Sequence, residues 1–220
     1  MSLNKPRENR FFKLPNFVSW FYPRRIWRLA QSEQVFLTFD DGPHPEITPW
    51  LLGLLRENNI KASFFWLGEN IRKYPHFIDE AISDGHTVGH HGLKHISPRK
   101  QSLLEFTDNF QGSENLVPHK LFRPPYGDLK RKQALYVLTK AHLVMWNWMS
   151  YDYDEKVSTT HIVKSLSRGI KKGDIIVFHE NEKTTGRLKS IIPELITEIR
   201  EKGFTFAALD KAINDKYSAP

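Results

Sequence analysis

Two adjacent carboxylates, Asp40 and Asp41, follow the run Val35-Phe36-Leu37-Thr38-Phe39 and precede Gly42-Pro43. The run is β-rich and uninterrupted, so it predicts a buried strand, and Asp40-Asp41-Gly42-Pro43 is the turn that ends it. Two like charges at a strand's C-terminal edge repel unless a cation or a proton comes between them. One of the pair can bind a metal while the other serves as a base, and their chemistry alone does not say which does which. An Asp-Gly turn is also an ordinary way to leave a strand. The histidines downstream tip the balance toward chemistry.

The segment from His86 to His95 contains His86, His90, His91 and His95, two pairs at a spacing of four. If His86 to His90 is extended, four residues span roughly 13 Å, too far to share one ion held at about 2 Å by each ligand. If His91 to His95 is a helical turn, its rings are neighbours. Two histidines and one carboxylate leave positions open for water and substrate, the pattern of a catalytic centre; zinc suits this donor set, as do iron, cobalt and nickel. With no cysteine in the chain, a thiolate site and a disulfide framework are both excluded. Two further residues close predicted strands. Arg123 enters a turn stiffened by Pro124-Pro125, which aims its guanidinium and a backbone N–H, and His179 ends Ile175-Ile176-Val177-Phe178, where an imidazole suits general acid chemistry.

These residues need a frame that brings strand ends together. After the first strand, Thr48-Pro49 reads as an N-cap and first helical residue, followed by Trp50, Leu51, Leu54 and Leu55 at helical spacing up to Asn58-Asn59. Residues 62–67 predict the second strand, 75–83 a helix stopped by Asp84-Gly85, and 86–89 a third strand. The rhythm continues with strand 121–123, helix 130–140, strand 143–146, helix 159–170, strand 175–178, helix 188–202 and strand 204–207. Such alternation implies parallel strands joined by crossover helices. Seven or so units without a glycine-rich dinucleotide fingerprint favour an α/β fold closed as a distorted or incomplete (β/α) barrel of seven or eight strands.

Composition bounds the partners. The 220 residues are 40% hydrophobic and 26% charged, the make-up of one large globular domain. The net charge of +7 is concentrated in residues 1–30, where Lys5, Arg7, Arg10, Lys13, Arg24, Arg25 and Arg28 face Glu8 alone. The remainder is nearly neutral, which argues against a nucleic-acid surface on the main domain. We therefore divide the chain into a basic aromatic arm, residues 1–30, packed on the domain, and a catalytic domain, residues 31–220. The arm interleaves its charges with Phe11, Phe12, Phe17, Trp20, Phe21, Tyr22 and Trp27. These aromatics are expected mainly to pack against the barrel, the rival being contact with a membrane surface or an anionic envelope polymer. The uncharged stretch 14–23 holds two prolines and leads into Arg24-Arg25 without a cleavage site, so it does not read as a signal peptide, and no stretch is long enough to span a bilayer. A cytoplasmic or peripheral location is the expectation unless a leader has been removed. Oligomeric state is not legible.

Thr38-Phe39-Asp40-Asp41-Gly42, His91-Gly92-Leu93-Lys94-His95, Phe122-Arg123-Pro124-Pro125-Tyr126-Gly127 and the strand ending in His179 together resemble the polysaccharide deacetylase family, the NodB-homology domain of carbohydrate esterase family four. The resemblance covers residues 35–209 in the family's motif order. It implies a distorted (β/α) barrel and metal-dependent hydrolysis of acetyl groups, usually N-acetyl, from glycans such as peptidoglycan or chitin. By motif position it implies Asp40 as base, Asp41, His91 and His95 as ligands of one divalent metal, Arg123 as the residue orienting the base, and His179 as acid. The backbone N–H of Tyr126 would help hold the oxyanion, and Trp146 and Val177 would line the substrate pocket. His90 and Gly92 depart from the family's usual Asn and Ser or Thr, and Val177 from a leucine. Met149 stands where the family has an Asp that pairs with the arginine, which leaves Asp152 to tether Arg123 or to orient His179. Three rivals follow: a degenerate member that binds glycan without turnover, an esterase for O-acetylated xylan, and an envelope-docking protein that works through its arm.

Overall fold

This computed structural model of the protein describes residues 12–214, except Asn16 and the side chain of Asn214. Lys5, Arg7, Glu8, Arg10 and Phe11 of the arm therefore lie outside the described residues. Seven strands are β1 Phe36–Asp40, β2 Ser63–Trp66, β3 Thr87–His90, β4 Leu121–Phe122, β5 His142–Leu143, β6 Trp148–Met149 and β7 Ile175–His179. They form one sheet in the order β5-β4-β3-β2-β1-β7-β6, and every pairing is parallel. The helices are α1 Val18–Phe21, α2 Ile47–Glu57, α3 Gly68–Lys73, α4 His76–Ser83, α5 Leu103–Glu114, α6 Arg131–Val137, α7 Thr159–Gly169, α8 Thr185–Glu201 and α9 Leu209–Asn214. The sheet curls into a distorted (β/α) barrel. Residues 144–147 join its two edges, because β5 pairs with β4 and β6, four residues on, pairs with β7.

Strand alternation decides which side chains face the barrel interior. Phe36, Ile175 and Val177 belong to an inner apolar cluster with Phe65, Phe122 and Leu143. Leu37, Phe39, Ile176 and Phe178 belong to the outer cluster under the helices, with Phe64, Trp66 and Val88. At a period of two, Thr38 and Asp40 share the face of Phe36, and His179 shares that of Ile175 and Val177. On β3 the same rule puts His90 with Val88 on the helix side and turns His91 inward.

The arm takes a structural part in closure. Leu14 N–H donates to Asn147 O at 2.9 Å, Ile26 N–H to Leu143 O at 2.8 Å, and Leu29 N–H to Gly173 O at 2.9 Å. Met145 N–H returns a bond to Ile26 O, and Met149 N–H to Phe12 O, each at 2.8 Å. The arm thus supplies backbone partners to a segment whose own edges are short. Its aromatics divide: Phe12 is buried, whereas Phe17, Trp20, Phe21 and Tyr22 are exposed. The expectation that they pack on the barrel fails for those four.

Other boundaries differ for local reasons. Thr48 does not cap α2, which begins one residue earlier with Glu46 at the cap position; its hydroxyl donates to Glu180 Oε1 at 2.6 Å and accepts from His44 N–H at 2.8 Å. Residues 204–207 make a single bridge, Val35 to Phe206, so the eighth strand is not built. Helix α5 starts with a capping box between Ser102 and Glu105, a signal present in the sequence as S-x-x-E.

Candidate active site

Asp40, the last residue of β1, is 2% exposed, and its Oδ1 accepts from Arg123 Nη1 at 2.7 Å. Burial lifts its carboxyl to about 6 against the charge of Arg123, so it remains a carboxylate at neutral pH while being more basic than an ordinary aspartate. Arg123 follows β4 and is completely buried. Its Nη1 also donates to Thr38 Oγ1 at 2.7 Å, its Nη2 to Met145 O at 2.9 Å, and its Nε to Val144 O at 3.4 Å. The guanidinium carbon lies 4.1 Å from the Phe65 ring centroid. With Met149 in place of an aspartate, a hydroxyl and two main-chain carbonyls take up the Arg123 donors that a second carboxylate would have received. Asp152 does not tether Arg123.

Asp41 leaves the strand at φ 77°. Its Oδ2 accepts from Asn181 Nδ2 at 2.9 Å, and its carbonyl from Asn70 Nδ2 at 2.8 Å. That aims Oδ1 toward His91 Nε2 at 3.8 Å and His95 Nε2 at 3.5 Å. One ligand atom from each of the three residues lies within 4.8 Å of the others, and Asp41 Oδ1 is buried without a hydrogen-bond partner. A buried acceptor left without a donor is costly, and a shared cation relieves it. Burial pushes His91 down to about 3, so its ring is neutral and has a lone pair for coordination. Desolvation opposes the charge on Asp41, yet its pKa is lowered by His179, His91, His95 and the Asn181 hydrogen bond. The donor set therefore fits one divalent cation.

His91 and His95 do not form a helical turn. Gly92 at φ 89° reverses the chain after β3, and Asn109 of α5 holds the loop by accepting from Lys94 N–H at 2.8 Å through Oδ1. The rings still meet, centroids 5.3 Å apart. His86 and His90 go elsewhere, as their side of the strand requires. His86 Nδ1 accepts from Ala62 N–H at 3.1 Å, and His90 pairs with Ser113 Oγ at 2.8 Å between Phe110 and Phe122.

His179 ends β7 in register with Asp40 on β1. Both oxygens of the buried Asp152 engage it: Oδ2 accepts the His179 backbone N–H at 2.7 Å, and Oδ1 lies 2.8 Å from Nδ1. Ser150 Oγ donates to the same carboxylate at 2.8 Å. Burial lowers the imidazole pKa, but the charge and hydrogen bond of Asp152, with the charges of Asp41 and Asp40, outweigh it and raise the group to about 9. Nδ1 is occupied, so Nε2 is the nitrogen left for proton transfer. Tyr153 packs edge-on against the ring at 5.1 Å.

The cleft measures about 570 Å³ and is lined by Asp40, Asp41, His91, His95, Tyr126, Trp146, Met149, Tyr153 and His179, with Asn181, Glu182 and Lys183 on its wall. Tyr126 adopts φ 61°, a conformation rarely tolerated outside glycine, and its ring lies 4.6 Å from that of His95. Val177 is fully buried and does not line the cleft, because it sits two residues below His179 in the inner cluster. Thr38, Asn181, Asn70, Ser150 and Tyr153 were not legible as site residues. Glu180 was missed as well: its Oε2 accepts from Trp66 Nε1 at 2.7 Å, and its N–H donates to Asp40 O at 2.7 Å. A Cβ on Gly42 would come within 2.6 Å of both Glu180 Oε2 and Trp66 Nε1, so a larger residue after the carboxylate pair would have to displace that hydrogen-bonded pair.

The family profile described as polysaccharide deacetylase matches residues 30–146. A peptidoglycan-N-acetylglucosamine deacetylase of Bacillus cereus is 27% identical over 201 residues, 87% of this chain and 93% of that protein. A longer one from Listeria monocytogenes is 29% identical over 192 residues, and the alignment spans 84% of this chain and 40% of that protein. Among solved structures, a peptidoglycan N-acetylglucosamine deacetylase superposes with a TM-score of 0.77 at 29% identity, covering 90% of this chain and 96% of that one. The chain belongs to the polysaccharide deacetylase family.

Proposed function

We propose that the protein is a metal-dependent deacetylase that removes N-acetyl groups from a glycan containing N-acetylglucosamine, with peptidoglycan the preferred substrate. The observation that carries this reading is the pairing of Asp40, held by Arg123, with His179, held by Asp152, across the β1–β7 ladder and beside the Asp41, His91 and His95 cluster. Both curated relatives described above act on that class of glycan by name.

Asp41, His91 and His95 would hold the cation, zinc by preference for its histidine and carboxylate donors. A divalent cation bound there supplies Lewis acidity to water and to the acetyl carbonyl. Asp40 takes the proton from the attacking water, its basicity raised by burial and its carboxylate aimed by Arg123. The Tyr126 N–H donates to the developing oxyanion. His179 then gives its proton to the departing nitrogen as the C–N bond breaks, releasing acetate and a free amine. Asp152 keeps the imidazole oriented and charged through this step, and Trp146, Met149 and Tyr153 form the walls that receive the sugar.

Glycan binding without turnover is the alternative that Met149 raises. It is disfavoured because Thr38 and the carbonyls of Val144 and Met145 satisfy Arg123 without a second carboxylate. Acetate release from N-acetylated peptidoglycan, chito-oligosaccharides and acetyl xylan tests the reading. Release from the first two is expected. Release from xylan alone would transfer the activity to ester cleavage, and none from any would favour the binding reading.

A further inference from the structure

We propose that the exposed segment 17–25 is a docking surface for an anionic phospholipid membrane. On this one short stretch Trp20 is 81% exposed, Phe21 74%, Phe17 54% and Tyr22 45%, and α1 buries none of its residues. Side chains of this size add nothing to the stability of a soluble fold when left in water, and a contiguous exposed group of them marks a contact surface. The flanks, by contrast, are fixed: Phe12, Ile26 and Leu29 are buried, and Lys13 and Arg28 both reach the buried Asp174. The segment is thus an exposed stretch anchored on both sides.

Charge selects the partner. From Phe12 to Ala30 the sequence holds no Asp or Glu. Lys13 and Arg28 are committed to Asp174, whereas Arg24 is exposed and Arg25 lies 4.2 Å over the Tyr22 ring. Aromatic side chains beside arginines, with no acid near in sequence, match the interface of an anionic bilayer, where rings enter the headgroup boundary and guanidinium groups meet phosphates. A sugar polymer fits less well. Phe17 and Phe21 meet edge to face at 90°, with centroids 6.5 Å apart, so they do not offer one open stacking platform, and the segment carries no carboxylate to accept sugar hydroxyls. Among the described residues no helix is long and apolar enough to cross a membrane, so the contact is interfacial. None of the four aromatics lines the catalytic cleft, and docking leaves that cleft open.

The test uses the full chain in co-sedimentation with vesicles of phosphatidylglycerol and phosphatidylcholine in equal parts, and with vesicles of phosphatidylcholine alone. Binding is expected to the first, to weaken with salt, and to be marginal on the second. The Trp20→Ser, Phe21→Ser double variant should lose at least about tenfold in affinity, and Arg24→Gln with Arg25→Gln about fivefold per charge. Both should keep the wild-type melting temperature and the wild-type rate on a soluble substrate. Absence of vesicle binding, or binding untouched by the aromatic variant, would overturn the proposal. So would lipid-free peptidoglycan sacculi capturing the wild type but not the aromatic variant, because that result assigns the surface to glycan.

Discussion

His179 carries the heaviest demand of any single residue, because an amine is a poor leaving group until it is protonated. An alkoxide released from an acetyl ester needs less help, and an aryl oxide almost none. His179→Ala should therefore be most impaired on an N-acetyl sugar, less on acetyl xylan and least on an aryl acetate. Equal losses on amide and aryl ester would mean that the side chain positions substrate and does not transfer a proton. Asn181 acts one step removed. By donating to Asp41 Oδ2 it turns Oδ1 toward the two histidines, and contacts that orient a ligand typically govern affinity by 10- to 100-fold. Asn181→Ala should weaken metal binding by about tenfold in competition with a chelator; an unchanged affinity would show that Asp41 orients itself.

At the scale of elements, Asp174 at the start of β7 gathers the arm and the barrel edge onto one buried carboxylate. It accepts from Arg28 Nε and Asn147 Nδ2 at 2.7 Å each, from Trp148 Nε1 at 2.6 Å, and from the Lys171 N–H at 2.9 Å. Asp174→Ala leaves the buried Asn147 and Trp148 donors unsatisfied and should cost on the order of 2 to 5 kcal/mol in denaturant unfolding. A loss below 0.5 kcal/mol, the range of ordinary surface substitutions, would mean that water replaces the carboxylate. Asp174 also marks the boundary of what the sequence shows. Six of the seven strands and the helices α2, α4, α7 and α8 were legible because period-two and period-3.6 patterns report burial directly, whereas β6 and α5 were not, and the strand expected at 143–146 is mostly the 144–147 link between β5 and β6. The four motif ends were legible because each follows an apolar run or a short strand and matches a family motif in order. The loop that brings His91 and His95 together was not, because it is set by Gly92 and by Asn109 on a distant helix. Thr38, Asn181 and Glu180 act through contacts across sequence separations that no local pattern records, and the exposure of Trp20 and Phe21 looks in sequence like any other aromatic segment.

For the molecule as a whole, the two pKa shifts predict the working range of pH. Asp40 must be ionised to act as a base, so activity rises as pH passes about 6, where burial has lifted its carboxyl. His179 must be protonated to act as an acid, so activity falls above about 9, where Asp152 has raised the imidazole against its burial. Rate against pH should be bell-shaped, and the residual activity of His179→Ala should lack the alkaline limb. The division of labour between adjacent carboxylates underlies the whole account, and one variant isolates it. Metal content and acetate release measured together on Asp40→Asn should show wild-type metal occupancy with turnover lower by about a hundredfold or more. Loss of the metal from Asp40→Asn, or turnover that survives the substitution, would contradict the assignment of Asp40 as base and Asp41 as ligand.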